Sequence, residues 1–361
     1  MNQIKVFSPA TVSNVACGFD ILGFPIDSIG DEMIVRKTKK KSLVISNVSG
    51  YSVPLDIDKN VSTIAAKKMI EQLKPDCGFD FNIKKNIIPG SGIGSSGSSA
   101  SASVYAINKL LGSPLSEVEM VSYAMKGEVA SSITEHADNV APALMGGLVM
   151  VKSISPLEIL KLPTPKDLYC FVINPKIEVK TSYSREILPK EVKLKSATKQ
   201  VSTFGSFVHS LHTEDYELLG RSLNDYLIEK HRKKLIPLFD EIKGIALNNG
   251  ALGCSISGSG PSVFALTKGI EKANEINLLQ GNLKFIVSET ILLRDASSIS
   301  FPENFEMHSN AISSFDKFDN SSINSVSREG IVSGKYKPLS KGIPFSTASL
   351  KLTFVLLSLV L

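Results

Sequence analysis

The sequence predicts a two-domain chain of mixed α and β structure, and three observations predict it. Runs with period-two apolar alternation are interleaved with amphipathic stretches of helical period. Three prolines, Pro156, Pro163 and Pro165, interrupt that periodicity and place a domain boundary near residues 155 to 168. A loop of glycine and serine, Pro89 to Ser99, stands between an apolar strand and a helix, which is the setting of a ligand-binding turn and not of a linker.

Taken in order, residues 3 to 40 open with a short strand, Ile4 to Phe7, and continue through a loop that holds Asn14 and Asp20 before strand sequence resumes. Residues 58 to 74 read as a helix, with Val61, Ile64, Ala65, Met69 and Leu73 on one stripe. A strand over 79 to 88 leads into the Gly/Ser loop, and a helix of small residues follows from Ala100 to Leu111. Ser116 and Glu119 form a capping box for a helix over 117 to 130, which carries Glu128. His136 to Gly147 then turns into a buried strand beginning near Leu148. Past the boundary come a strand over Tyr169 to Asn174, a segment with Thr181 and Arg185, a helix over Tyr216 to Ile228, and Arg232. A stretch rich in small residues, Gly250 to Ala265, closes the patterned part, and Ser297 to Ser349 shows neither periodicity.

Composition excludes several classes. At 361 residues and 43% apolar content the chain can bury a sizeable core, so a soluble globular protein is expected. A net charge of +5 is mild, and the basic residues are scattered and not interleaved with aromatics, so nucleic acid is not an expected partner. Four cysteines without CxxC spacing point to reduced, structural thiols. The N-terminus lacks the apolar core of a signal peptide, so a cytoplasmic location is expected. No membrane partner is expected, because the apolar end, Leu350 to Leu361, is shorter than the roughly 20 residues a span requires.

The loop is where chemistry concentrates. Glycines permit positive φ and close approach, so the amides of Pro89, Gly90, Ser91, Gly92, Ile93, Gly94, Ser95, Ser96, Gly97 and Ser98 are candidates to cradle a phosphate, proline contributing shape and no N–H. The N-terminus of the following helix adds its dipole to the same site. The loop lacks the Gly-Lys-Ser/Thr ending of a Walker A motif, and no acidic residue follows at the spacing of a dinucleotide fingerprint.

These residues resemble the phosphate loop of the superfamily of galactokinase, homoserine kinase, mevalonate kinase and phosphomevalonate kinase, with Ile93 in place of the usual Leu and Gly97 in place of the usual Ala. Three further segments are similar to its homoserine kinase branch: Pro9 to Gly23, with Asn14 and Asp20; His136 to Gly147; and Thr181 to Pro189, with Arg185. Arg232 falls at the family's arginine in GluLysHisArg, where Lys230 replaces a proline, and Gly250 to Ala265 is similar to the third superfamily motif. The resemblance covers about residues 3 to 290.

It implies an α+β fold, with an ATP-binding domain over 1–160 like ribosomal protein S5, a ferredoxin-like domain over 161–295, and an atypical tail over 296–361. It implies ATP-dependent phosphorylation of the side-chain hydroxyl of L-homoserine, a step of threonine biosynthesis, with Mg²⁺ held by Ser96 and Glu128. Asn14, Asp20, His136, Arg185 and Arg232 would bind the amino acid, the arginines suiting its carboxylate and Asp20 its ammonium. Thr181 would sit near the reacting groups. Asp138 and Asn139 stay open as base or hydroxyl-orienting group, with Asn139 favoured. A homodimer is one option for the assembly. The alternatives are a mevalonate-type kinase and a non-catalytic ligand-binding relative.

Overall fold

A computed structural model describes residues 1–132, 135–175, 177–280 and 288–292. Its first sheet is built on a long antiparallel pair, β1 (Gln3–Ser13) and β2 (Leu22–Thr38), running from Gln3 opposite Arg36 to Ser13 opposite Gly23 with a register shift between Pro9 and Ala10. Strand β1 thus runs through residues the sequence assigned to a loop, and the loop proper begins at Asn14. β3 (Leu43–Gly50) pairs in parallel with β4 (Gly78–Lys85), while β5 (Leu148–Ile154) and β6 (Leu157–Leu162) form a hairpin, giving the order β3-β4-β2-β5-β6 with β1 on β2. Pro156 lies in that hairpin turn, so the chain leaves this sheet only after Leu162.

Four helices cover the sheet: α1 (Val61–Leu73), α2 (Ser95–Leu110), α3 (Glu117–Ser132) and α4 (Val140–Met145). The α2 helix is buried all round except at Ser96, Tyr105 and Lys109, and its run of Ser, Ala and Gly lets it pack closely against the sheet and α1, α3 and α4. It starts at Ser95 and not at Ala100, because Gly94 takes the left-handed conformation (φ 67°) that lets the loop turn straight into a helix. The expected capping box is present, with Ser116 N and Oγ both donating to Glu119 Oε2 (2.8 and 2.7 Å).

The second sheet is antiparallel, with β7 (Leu168–Ile173), β8 (Gly253–Ile256), β9 (Val263–Lys268) and β10 (Ser288–Leu292) in the order β10-β7-β9-β8. With it go α5 (Thr181–Glu186), α6 (Leu194–Thr213), α7 (Tyr216–Ser222), α8 (Glu229–Arg232), α9 (Phe239–Asn248) and α10 (Ile270–Gln280). The single helix expected over Tyr216 to Ile228 is broken after Ser222, because the Asp225 carboxylate accepts from the amides of Leu227, Ile228 and Glu229 (2.8 Å each) and starts a new turn. All four cysteines are free. No described helix is long and apolar enough to cross a membrane. The tail expected over 296–361 lies outside the described residues.

A core shared by both sheets sits beneath the loop. Val12, Leu22 and Phe24 from β1 and β2 meet Cys170, Val172 and Phe264 from β7 and β9, with the rings of Phe24 and Phe264 edge to face at 6.3 Å.

Candidate active site

The Gly/Ser loop is held from three sides. Asp31 on β2 accepts from Asn86 N and Ile87 N (both 3.0 Å), which aims the chain as it leaves β4. Thr11 N on β1 donates to Ile93 O (3.1 Å). From the turn after β8, Ser257 Oγ donates to Gly92 O (2.8 Å) and Ser262 N to Ser91 O (3.1 Å). Gly92 has φ 81°, and a Cβ there would stand 2.5 Å from Gly260 O, so only glycine allows these two turns to approach.

A cleft enclosing about 380 Å³ opens over this loop. Pro89, Gly90, Gly92, Gly94, Ser95 and Ser96 line it. Ser91, Ile93, Gly97 and Ser98, also expected at the phosphates, do not: Ser91 and Ile93 are buried, Gly97 packs against Asn139 and Val140, and Ser98 Oγ donates to Ser8 O (2.8 Å). They hold the loop to the core.

Behind the loop the structure places a buried ion pair that sequence reasoning missed. Lys85 Nζ pairs with Asp31 and also donates to Ser95 O (2.6 Å) and Ser99 Oγ (2.8 Å), while Ser99 Oγ donates in turn to Asp31 (2.8 Å). Burial pushes the Lys85 ammonium below its usual range, and Asp31 opposes that shift. A signal existed. Lys85 is in phase with the inward Phe79, Phe81 and Ile83 of β4, and Asp31 with Met33 and Val35 of β2.

Glu128 and Ser96, expected together at a metal, do come together: both line the cleft, and the Ser96 hydroxyl bonds the Glu128 carboxylate. Burial raises Glu128 to about 7, with Ser96 and Lys85 pulling it down. A carboxylate and a hydroxyl at a helix N-terminus form a hard oxygen donor set that fits Mg²⁺, an ion that keeps several waters. Among the described residues no group of three or more His, Cys, Asp and Glu could hold a metal by itself.

The residues expected to bind the amino acid line the same cleft, and they bond one another. Arg185 on α5 holds Asp20 through both its terminal nitrogens (2.9 to 3.1 Å). His136 Nδ1 lies 3.8 Å from Asp20; burial pushes its pKa below the usual range, Asp20 opposes that shift, and Arg185 and Arg232 add to it. Asn14 bridges two turns, donating to Gly258 O (2.8 Å) and accepting from Asp20 N (3.0 Å). It opens a left-handed run of Asn14, Val15 and Ala16 (φ 70°, 37° and 57°), backbone strain of the kind that gathers at functional loops.

Arg232, on the one-turn α8, is buried at 3% exposure; its Nη1 donates to Gly258 O (2.8 Å) and its Nε to Ser184 O (3.3 Å). Burial pushes it down to about 10, Arg185 adds to the shift, and Asp20 opposes it. Phe19, also missed from sequence, lies beneath both guanidiniums, at 5.4 Å from Arg185 and 5.0 Å from Arg232. Thr181 Oγ1 is 3.4 Å from Ser259 Oγ at the cleft wall. Asn139 accepts from Thr11 Oγ1 (2.8 Å) and donates to Ser13 Oγ (3.1 Å), so its amide braces β1. Its neighbour Asp138 is buried and raised to about 7, by desolvation first and then by Asp20.

Models of two families match this chain, GHMP kinases N terminal domain over residues 60–147 and GHMP kinases C terminal over 207–277. Homoserine kinase of Chlorobium phaeobacteroides is 42% identical over 288 residues, 76% of this chain and 90% of that one. Homoserine kinase of the archaeon Pyrococcus abyssi is 38% identical over 267 residues, 74% and 88% of the two chains. The crystal structure of homoserine kinase from Cytophaga hutchinsonii superposes with a TM-score of 0.77 at 44% identity, covering 80% of this chain and 94% of that one. Mevalonate kinase from L. major, at 19% identity and a TM-score of 0.61, shares the fold alone. On the fold, the loop and similarity of this extent, the chain belongs to the homoserine kinases of the GHMP kinase family.

Proposed function

We propose that this chain transfers the γ-phosphoryl group of ATP to the side-chain hydroxyl of L-homoserine. The observation that carries the reading is that an anion-binding loop and helix N-terminus share one cleft with a cluster of two arginines, a carboxylate and an imidazole. The helix terminus and loop amides suit the β- and γ-phosphates, and Val53, Pro54 and Val61 offer an apolar wall for the base. Mg²⁺, held by Glu128 and Ser96, would neutralise phosphate charge when bound. At the other end Arg232 meets the α-carboxylate, while Asp20, Asn14 and His136 face the ammonium, with Arg185 fixing Asp20 in place.

Transfer then depends on holding the hydroxyl in line with the phosphorus, and the loop amides stabilise charge that develops on the equatorial oxygens. Asp138 receives the hydroxyl proton in this reading, since Asn139 is committed to Thr11 and Ser13 and a carboxyl raised to about 7 is matched to that task. Cytoplasmic residence and a homodimer belong to the same proposal. The test is ADP release coupled to absorbance with purified chain, ATP and Mg²⁺, supplied with homoserine, mevalonate or galactose. We expect turnover with homoserine and background with the other two; turnover with mevalonate alone would overturn the substrate assignment.

A further inference from the structure

Glu229 is the first residue of α8, three positions before Arg232, and it is not among the residues that line the cleft. Its carboxylate is nonetheless 13% exposed and fully engaged by two other elements. Lys243 Nζ on α9 donates to Oε1 and Ser255 Oγ on β8 to Oε2, both at 2.6 Å. A helix of one turn has no stability of its own, so anchors to its neighbours decide where it sits. The Asp225 carboxylate anchors its amides, and Glu229 anchors its side to α9 and β8. Ser255 lies on the same stretch as Gly258, whose carbonyl accepts from both Arg232 and Asn14. Glu229 and Arg232 therefore clamp the two ends of α8 to one strand and the turn that follows it.

We propose that Glu229 is a positioning residue for the substrate-binding arginine: by tying α8 to Ser255 and Lys243, it sets where the Arg232 guanidinium meets the substrate carboxylate. The proposal rests on the assignment of Arg232 to that carboxylate. Glu229→Gln keeps the shape and removes the charge that draws Lys243 and Ser255 together, and Ser255→Ala removes one anchor with little change in volume.

The test measures KM for homoserine and for ATP, kcat, and Tm for E229Q, S255A, R232A and the double variant E229Q/R232A. E229Q is expected to raise KM for homoserine on the order of tenfold or more, the scale on which misplaced binding groups are felt. KM for ATP should stay within about twofold of the parent, and S255A should shift homoserine in the same direction by less, which keeps the test alive if E229Q folds poorly. In the R232A background E229Q should add nothing, since there is no guanidinium left to place. Equal shifts in both KM values, a lowered Tm with unchanged KM, or full additivity with R232A would overturn the proposal. If R232A itself leaves KM for homoserine unchanged, the carboxylate assignment fails and the proposal with it; if R232A raises it and E229Q and S255A do not, the positioning role alone fails.

Discussion

Asp138 and Asn139 are adjacent in sequence and are sorted by their surroundings. The Asn139 amide is held at both ends by β1, whereas Asp138, bonded by Ser13, sits buried near Asp20 and Glu128, two more carboxylates that oppose its ionisation. If Asp138 takes the hydroxyl proton, Asp138→Asn should lower kcat by about 10² to 10⁴ while KM for ATP changes little. A loss under tenfold in steady-state kinetics would leave positioning as the whole mechanism. The same carboxyl has a consequence for stability. It binds its proton near pH 7 when folded and near its ordinary 3.8 when unfolded, so protonation favours the fold: that contribution is full below about pH 4 and lost as pH rises through about 7. Asp138→Asn should therefore gain more in Tm over the parent at pH 8 than at pH 5, read by thermal melts at both. The sequence named both residues and left their roles open, because burial and the approach of Asp20 come from other parts of the chain. Asp20 and Arg185 show the same limit. Each was expected at the amino-acid substrate, yet the bidentate bond between them, across 165 positions, was not legible.

At the scale of elements, the phosphate site is made by a strand, a loop and a helix, and the Asp31–Lys85 pair binds all three. Asp31 on β2 takes the amides at the end of β4, and Lys85 reaches the first turn of α2 through Ser95 and Ser99. A cation close to a helix N-terminus is opposed by the dipole, so the pair persists only because Asp31 compensates the charge. Breaking such a pair from one side leaves an uncompensated buried charge, at about 3 to 5 kcal/mol. Asp31→Asn and Lys85→Met should each lose stability on that scale, and the double variant should lose less than their sum; urea denaturation measures all three, and simple additivity would show the charges are not coupled. What local sequence writes was legible here in the capping box of α3 and the small residues of α2; of the stripe read on α1, Ala65 and Met69 are buried while Val61 lines the cleft. Two boundaries were not. The start of α2 depends on the left-handed Gly94, and the break after α7 on an Asp225 carboxylate that competes with continuing the helix.

At the scale of the whole molecule, two sheets that the sequence separates at its prolines share a core. Val12, Leu22 and Phe24 pack with Cys170, Val172 and Phe264, and the phosphate loop is bonded to the turn between β8 and β9. Periodicity showed some strands of each sheet but could not show that β2 and β9 meet, since the Phe24–Phe264 contact joins residues more than two hundred positions apart. The site draws on both sides of this core, with Asn14 and Asp20 from one and Arg185, Arg232 and Gly258 from the other, so its geometry depends on their staying together. Phe264→Ala tests whether they do. Phe264 is fully buried, and truncating a buried Phe to Ala costs about 3 to 5 kcal/mol through lost burial and the cavity left behind. For a chain of this size that corresponds to a fall in Tm of about 4 to 8 °C. If the halves unfold as one cooperative body, calorimetry of the parent gives one transition for the two sheets, and Phe264→Ala moves that transition without splitting it. A second transition that stays at the parent's temperature in the variant would show that the first sheet and its helices stand alone, with the shared core contributing contact but not cooperativity.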